Sequence, residues 1–208
     1  MRTEKTALIV GAGEFTNRGL DKSFDMVIAA DAGLTKLNDN NITPDVIIGD
    51  FDSLGFAPDG PDVISLPIEK DLTDLEAAMR RAWDSGCRNM LLYGVTGGNR
   101  IDHFLGNLQL GAEYSRRGAK VRMVAPDYSV YFLTNGEITL HGHPGTIFSV
   151  LSHTIKSEGV SILGDAKYRI CGSCLENKGT LGISNEMQGN TITVSVKKGT
   201  LIILIYES

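Results

Sequence analysis

The residues whose type and spacing best suit chemistry in this sequence are aspartates that follow short apolar runs. Asp31 comes directly after Met26–Ala30, and Asp50 and Asp52 come after Val46–Ile48. Three further aspartates take positions around predicted helix starts: Asp71, Asp74 and Asp102. In open α/β sheets, ligands bind outside the carboxyl ends of the strands. We therefore expect these six side chains to face one crevice.

Asp50 and Asp52 are the strongest candidates for metal ligands. Carboxylates gathered in one crevice repel one another unless a cation neutralises them. Mg²⁺ favours oxygen ligands and commonly joins one or two carboxylates to substrate phosphates. In an extended segment, the i, i+2 spacing of Asp50 and Asp52 points both side chains to the same face. Because Asp also marks turns and helix caps, that simpler role is favoured for Asp71 or Asp74 taken singly.

Basic and glycine-rich residues near these aspartates suit phosphate binding. Lys70 and Arg100 could clamp a transferring phosphoryl group, or could be solvated surface charges. Thr96–Asn99 leads into a predicted helix, so its glycines could let backbone N–H groups approach a phosphate. Gly11–Gly13 lacks the third glycine of a dinucleotide-binding motif and predicts only a tight turn at the ligand edge of the sheet. His103, at the start of that helix, is the one histidine expected in the site.

The elements that must position these residues are predicted from periodicity. In the first half, short apolar runs alternate with helical patterns, which predicts a mainly parallel sheet flanked by helices. Thr73 and Glu76 form a capping-box pattern, so a helix is expected to open at Thr73 and to stop at Gly86. A second helix is expected over about 103 to 117. The expected strands of this half are Ala7–Val10, Met26–Ala30, Val46–Ile48, Val63–Leu66, Met90–Tyr93 and Val121–Val124.

After Tyr128 the pattern changes to short strand-like runs separated by glycine and polar turns. No helix of normal length is apparent there, and strands at such regular spacing suggest a β-sandwich or jelly roll. We therefore predict an α/β domain over residues 1–127 and an all-β domain over residues 128–208. The expected strands of this half are Ser129–Leu133, Ile138–His141, Ile147–Leu151, Val160–Ile162, Thr191–Val196 and Leu201–Tyr206.

Composition narrows the class of protein. The 208 residues are 42% apolar and 22% charged, which suits a compact globular fold. A net charge of −5 gives no general attraction to phosphate backbones, so nucleic acid is a poor candidate for a partner. No apolar run approaches the roughly 18 to 20 residues of a membrane helix, and no signal peptide is evident, so a cytoplasmic protein is expected. The three cysteines, which include the pair Cys171 and Cys174, are expected to be ordinary free thiols.

Several segments together resemble the thiamine pyrophosphokinase family. They combine a GDFDS motif with a KDxTD motif, in matching order and spacing. The segments are Asp31–Gly33, Pro44–Leu54, Lys70–Glu76, Arg100–His103 and Asn107. The resemblance is dense in the first half and continues sparsely through Tyr168, Gly182, Ser184–Asn185 and Gly199. The stretch Gly97–Ile101 is one residue longer than the family usually has.

The resemblance implies an α/β domain that binds ATP and magnesium, and a β-sandwich that binds thiamine and forms a homodimer with sites between subunits. The hydroxyethyl oxygen of thiamine would attack the β-phosphorus of ATP, giving thiamine diphosphate and AMP. The implied magnesium ligands are Asp50, Asp52 and Asp74. The implied catalytic residues are these three together with Asp71, Arg100 and Asp102. The implied contacts to ATP and thiamine come from Asp31, Lys70, Thr73, Arg100, His103, Asn107, Tyr168, Ser184 and Asn185.

Two other functions are open at the level of sequence. A magnesium-dependent nucleotide hydrolase, or a phosphotransferase with another acceptor, would use the same carboxylates. A non-catalytic module that binds thiamine diphosphate or a nucleotide would keep the same motifs. The role of Asp102 is open as well, because an aspartate that caps a helix has the same sequence pattern as one that holds or deprotonates the thiamine hydroxyl.

Overall fold

The computed structural model describes residues 4–20, 23–51, 62–67 and 71–207. Asp52 and Lys70 lie outside these ranges, so their predicted roles stay predictions. Within the ranges, no helix is both long enough and apolar enough to cross a membrane. The elements are β1 Lys5–Val10, β2 Met26–Ala30, α1 Gly33–Asp39, β3 Val46–Gly49, β4 Val63–Ser65, α2 Asp74–Asp84, β5 Cys87–Tyr93, α3 Ile101–Arg116, β6 Lys120–Val124, β7 Tyr128–Thr134, β8 Glu137–His141, β9 Ile147–Ser152, β10 Lys156–Ala166, β11 Ile170–Glu176, β12 Asn185–Ser195 and β13 Thr200–Tyr206.

The chain divides into two compact units. The first unit comprises residues 1–110 and 123–126, and the second comprises residues 111–122 and 127–208. The described strands include both parallel and antiparallel pairs, so the protein is a mixed-sheet fold with few helices. Every strand expected from the sequence is present, with bounds that differ by a few residues.

The first unit contains a parallel sheet in the order β5-β1-β2-β3-β4. On one face of β1, Leu8 and Val10 pack with Leu34 and Leu37 of α1. Ile9 alternates with them along the strand and is also fully buried, so both faces of β1 are covered. This burial on both faces explains why the strands of this half appear in the sequence as continuous apolar runs rather than as alternating ones.

Helix α2 forms as its sequence predicts. The Oγ1 of Thr73 accepts a hydrogen bond of 3.2 Å from the backbone N–H of Glu76, which confirms Thr73 as the N-cap. Asp74 and Glu76 lie in the first turn, where negative charge is favourable next to the helix dipole. The helix ends before Gly86, whose φ of 86° suits glycine. The side chains that the helix buries recur on one face: Leu75, Ala78, Met79 and Ala82.

The second unit contains antiparallel strands in the order β11-β10-β12-β9-β13-β7, with β8 also paired to β12. Besides β10, strand β12 pairs with two strands along its length: Asn185–Glu186 pairs with β9, and Thr191–Ser195 pairs with β8. The strands of this unit share one apolar core, which includes Phe148 of β9, Ile192 of β12 and Ile203 of β13. The core therefore lies among strands alone.

Candidate active site

A cavity of about 540 Å³ lies in the first unit, where the carboxyl ends of the parallel strands meet the N-terminal ends of the helices. This is the edge at which open α/β sheets bind ligands. Helix N-termini carry partial positive charge, so the edge suits anions. The cavity is lined by Gly11, Ala12, Gly13, Ala30, Asp31, Asp50, Leu72, Thr73, Asp74, Leu75, Gly94, Val95, Gly97, Gly98, Asn99, Arg100, His103, Phe104 and Asn107.

Three of the six predicted aspartates line this cavity. Asp31 follows β2, Asp50 follows β3, and Asp74 is the first residue of α2. Asp71 and Asp102 are exposed and are not among the residues that line the cavity, although their neighbours Leu72 and His103 are. Their predicted roles stay predictions. Within the described residues, three carboxylates line the cavity.

Two residues in the left-handed backbone region shape the acidic edge. Asp31 has a φ of 50° and Phe51 a φ of 61°. Such conformations cost of order 1–3 kcal/mol and persist where surrounding packing fixes them. The Phe51 side chain is 5% exposed and belongs to the core of the first unit, so it fixes the backbone beside Asp50. A Cβ on Gly49 would lie 3.2 Å from the Cα of Asp31 and 3.3 Å from the Phe51 ring, so glycine allows both close approaches.

The conformation of Phe51 corrects one step of the sequence argument. That step took the segment from Asp50 to Asp52 as extended, which would point both side chains to one face. A φ of 61° is incompatible with an extended strand, because strands require negative φ. The i, i+2 spacing by itself therefore does not place the two carboxylates together.

The donor set suits a hard divalent cation. Asp31, Asp50 and Asp74 line one cavity, and Mg²⁺ prefers oxygen ligands while keeping several waters. In the described parts of the chain, no three His, Cys, Asp or Glu side chains come together as a complete metal site. A site of one or two protein carboxylates with waters and phosphate oxygens is how Mg²⁺ is usually held beside nucleotides. The cavity fits that description.

Arg100 and Asp102 form an ion pair at the start of α3. The Arg100 Nη2 donates to Asp102 Oδ2 at 2.7 Å, and its Nε donates to Oδ1 at 3.0 Å. Both side chains are more than half exposed. The hydrogen bonds from Arg100 lower the pKa of Asp102 to about 2, and the same pairing raises the pKa of Arg100. Asp102 is therefore fully ionised near neutral pH and accepts a proton weakly, which disfavours it as a general base.

The glycines at the ends of β1 and β5 allow two backbone segments to approach closely. The N–H of Gly13 donates to the carbonyl of Gly94 at 2.6 Å, and the N–H of Glu14 donates to Thr96 at 2.8 Å. A Cβ on Gly11 would lie 2.7 Å from the oxygen of Gly94, and one on Gly13 would lie 2.6 Å from the oxygen of Thr96. Both segments line the cavity. The glycines thus serve close packing at the ligand edge, in agreement with the tight turn predicted there.

Lys36 is a residue at the site that the sequence argument missed. It lies on α1, and its Nζ donates to the backbone carbonyls of Ala12 and Gly13, at 2.6 Å for Ala12. Burial lowers the pKa of this lysine. The contact fixes the loop after β1 from the side of the first helix. A lysine that follows the Asp31–Gly33 motif by one helical turn is the only sequence signal for it.

The remaining predicted residues of the first unit lie at the cavity. Thr73, His103 and Asn107 are all lining residues. The Nδ2 of Asn107 donates to the carbonyl of Val95 at 2.8 Å, so this side chain holds the loop after β5. Although the stretch that starts at Gly97 is one residue longer than expected, Arg100 still lines the cavity.

The predicted thiamine contacts lie in the second unit. Tyr168 is 60% exposed in the turn between β10 and β11. The buried Asn185 side chain accepts from the N–H of Tyr168 at 3.0 Å and donates to its carbonyl at 2.7 Å. Ser184 has a φ of 57°, and its N–H donates to Ser149 Oγ. Asn185 therefore holds the backbone of Tyr168, whose ring is left exposed.

Carboxylates, an arginine and helix N-termini around one cavity at the edge of a parallel sheet are typical of proteins that bind phosphate groups. Comparison with known proteins narrows the class. The family described as thiamin pyrophosphokinase, catalytic domain, matches residues 18–123. A thiamine pyrophosphokinase of Bacillus subtilis (strain 168) is 30% identical over 185 residues, which cover 85% of each chain. The chain belongs to the thiamine pyrophosphokinase family.

Solved structures show the same likeness. The crystal structure of thiamine pyrophosphokinase from Bacillus subtilis matches with a TM-score of 0.87 at 27% identity, covering 98% of this chain and 100% of that one. The structure of thiamin pyrophosphokinase from Geobacillus thermodenitrificans matches with a TM-score of 0.82 at 25% identity, covering 98% of each chain. The likeness therefore extends over both units of the chain.

Proposed function

We propose that this protein is a thiamine diphosphokinase, which transfers the pyrophosphoryl group of ATP to the hydroxyethyl group of thiamine and releases AMP. The observation that carries the proposal is the cavity itself, in which Asp31, Asp50, Asp74 and Arg100 lie together in a chain of this family. In the reaction, the bond between the thiamine oxygen and the β-phosphorus forms as the bond from the β-phosphorus to the α-phosphate oxygen breaks. We further propose that the reaction takes place in the cytoplasm.

The carboxylates would hold magnesium together with the phosphate chain. Asp50, Asp52 and Asp74 are the proposed ligands, with Asp31 and Asp71 as supporting carboxylates. When bound, Mg²⁺ would neutralise phosphate charge and bring the chain into line with the attacking alcohol. The position of Asp31, Asp50 and Asp74 on one cavity supports this assignment. Without a cation, the same carboxylates would repel ATP.

Arg100 is proposed to stabilise the negative charge of the transferring group. Its guanidinium has five donors in a fixed plane, which matches the geometry of phosphate oxygens. Its Nη2 lies 2.7 Å from Oδ2 of Asp102. Asp102 is thus better suited to orienting Arg100 than to deprotonating thiamine, since its pKa of about 2 makes it a weak base. Lys70, Thr73, His103 and Asn107 complete the proposed ATP contacts.

The second unit is proposed to bind thiamine and to form the homodimer. Thiamine carries a positive thiazolium ring, which an exposed aromatic face such as that of Tyr168 attracts. Ser184 and Asn185 would act with it, Asn185 by holding the Tyr168 backbone. We also propose that residues 128–208 form a β-sandwich domain, separate from an α/β domain over 1–127. The single apolar core shared by the antiparallel strands supports the sandwich.

Apolar side chains on α3 support a homodimer. Ile101 is 72% exposed and Leu105 is 56% exposed. Because they are four residues apart on a helix, they lie on the same face, and neighbouring exposed apolar groups mark interaction surfaces. Light scattering should give about twice the chain mass of 22.4 kDa for the wild type and a single chain for I101D/L105D. T35D, which adds a charge on an exposed residue of α1, is the matched control, and a monomeric wild type would contradict the dimer.

Acceptor dependence tests the function. Purified protein, ATP and magnesium are incubated with and without thiamine, and AMP and thiamine diphosphate are separated and quantified. We expect AMP to form only when thiamine is present. AMP release at the same rate in both reactions would identify a nucleotide hydrolase instead, and no turnover in either would favour a binding module.

A further inference from the structure

Two exposed thiols on β11 are separate from the proposed ATP site. Cys171 and Cys174 are free and exposed, whereas Cys87 is buried. Strand β11 ends the strand order of the second unit, and within the described residues it pairs only with β10. The two thiols therefore lie on an edge strand, where small molecules in solution can reach them.

An extra residue in β11 places both thiols on the same face. Ile170 and Leu175 both pack on the core of the second unit, although positions five apart in a regular strand point to opposite faces. The register with β10 shifts within this segment, and Gly172 has a φ of 62°. A glycine in this conformation is typical of a β-bulge, which adds one residue to a strand. Cys171 and Cys174 each adjoin an inward-facing residue, so both point outward.

The bulge also brings the two cysteines close together. From Ile170 to Ser173, three residues of β11 advance as far as two residues of β10, from Ile162 to Val160. Two strand residues rise roughly 6.6 Å in total. Disulfides usually join Cα atoms that are about 4.4–6.8 Å apart. Cys171 and Cys174 lie on either side of this bulge, so their separation is smaller than the roughly 10 Å that three residues of a regular strand would cover.

Lys156 of β10 lies near Cys174. Ser157 of β10 is fully buried, so its neighbour Lys156 points outward, as Cys174 does. The charge of the Cys174 thiolate is the largest cause of the raised pKa of Lys156, and Glu158, at 3.4 Å from the Lys156 Nζ, adds to it. The thiolate is the form of a cysteine that attacks disulfides.

We propose that Cys171 and Cys174 form a reversible intramolecular disulfide when the protein meets a low-molecular-weight disulfide. The Cys174 thiolate attacks one sulfur of the reagent, forms a mixed disulfide and releases one thiol. Cys171 loses its proton to solvent and attacks the Cys174 sulfur, which releases the second thiol. Two protein thiols are oxidised and one reagent disulfide is reduced to two thiols.

The disulfide would act on the turn that carries Tyr168. Residues 167–169 join β10 to β11, and Cys171 is the second residue of β11. A covalent bond across the bulge restricts the strand next to this turn. This consequence rests on the proposed function, in which Tyr168 contacts thiamine. Oxidation is then expected to change the KM for thiamine and to leave the KM for ATP unchanged.

Mass spectrometry tests the disulfide independently of catalysis. The full chain is treated with oxidised glutathione, free thiols are alkylated, and the peptides are mapped. We expect the peptide that spans Cys171 and Cys174 to lose the mass of two hydrogen atoms, while Cys87 is alkylated only after unfolding. In C171S, the expected product is a single glutathione adduct on Cys174. Two stable adducts on the wild type, or disulfides between chains on a non-reducing gel, would overturn the proposal.

Kinetics on the same samples test the effect on Tyr168. The KM for thiamine should change on oxidation of the wild type, return with a reductant, and stay constant in C171S under both treatments. A disulfide that forms and leaves this KM unchanged would overturn the link to Tyr168. If the reduced protein does not make thiamine diphosphate, the proposed function fails, while the peptide masses still decide whether the disulfide forms.

Discussion

Replacing Lys36 by methionine tests whether this lysine shapes the ATP site. Its Nζ donates to the carbonyls of Ala12 and Gly13, which belong to a loop that lines the cavity. A hydrogen bond to a charged group contributes about 1.5–3 kcal/mol net. Ala12 is exposed, so water can replace its bond, whereas Gly13 is half-buried. K36M is therefore expected to lose the free energy of at least one and at most two of these hydrogen bonds.

The expected result of K36M is a weaker interaction with ATP. At the lower value of about 1.5 kcal/mol for each bond, one to two lost bonds cost about 1.5–3 kcal/mol. Each 1.4 kcal/mol corresponds to about tenfold in an equilibrium constant, so the KM for ATP should rise roughly tenfold to a hundredfold. The KM for thiamine should stay within about twofold, because Tyr168 lies in the second unit. Steady-state kinetics with each substrate varied in turn measure both values.

Two variants and one pH series decide whether the effect belongs to Lys36. K36R keeps a cation and should recover part of the affinity, while K178M, on an exposed side chain of the second unit, should behave as the wild type. Because burial lowers the pKa of Lys36, its charge is lost at a lower pH than that of an exposed lysine. The wild type should then lose ATP affinity at alkaline pH before K36R does. An unchanged KM for ATP in folded K36M would refute the reasoning.

Three further predictions concern other parts of the first unit and α3. D50N and D74N should each reduce kcat by at least about a hundredfold, with an unchanged melting temperature for D50N and a small decrease for D74N, which loses a charge from the first turn of α2; D39N, at the end of α1, should be fully active in the same coupled assay. D102N should lower activity by releasing Arg100. The acid limb of its pH–rate profile near neutral pH should nevertheless match that of the wild type, because Asp102 has a pKa of about 2. A shift of this limb in D102N would instead indicate that Asp102 acts as the general base. In urea denaturation, the free energy of unfolding of G33A should fall by about 1–3 kcal/mol or more, since the new Cβ would lie 1.9 Å from the Val10 oxygen. G106A, in an open stretch of α3, should gain up to about 1 kcal/mol of unfolding free energy. Equal stabilities of the two variants would contradict the close contact of Gly33 with Val10.

Local periodicity was enough to predict most elements of the fold. The α2 helix follows from the Thr73–Glu76 cap and from apolar residues on one face, both of which act over a few residues. Strand β11 had no such signal, because Cys171–Cys174 combines cysteines with glycine and serine rather than β-branched residues. Its strand conformation depends on pairing with β10, a contact made through the fold.

The sequence predicted site residues that follow strand ends, but it did not predict contacts between residues that are far apart along the chain. Asp31 and Asp50 line the cavity because parallel strands end at one edge, and Asp74 lines it as the first residue of α2. The contact of Lys36 with Ala12 spans 24 residues and depends on how α1 packs on β1, which no local pattern records. The conformation of Phe51 depends on burial of its ring, so the extended geometry assumed for this segment was wrong.

The fate of the β-phosphate of ATP tests the central claim most directly. ATP labelled at the β-phosphorus is supplied with magnesium and thiamine, and the label is followed by chromatography. In the wild type, the label should enter thiamine diphosphate, with one AMP formed for each thiamine diphosphate. D50N should abolish this transfer while the protein stays folded. Label found in inorganic phosphate or ADP, or full transfer by D50N, would contradict this claim.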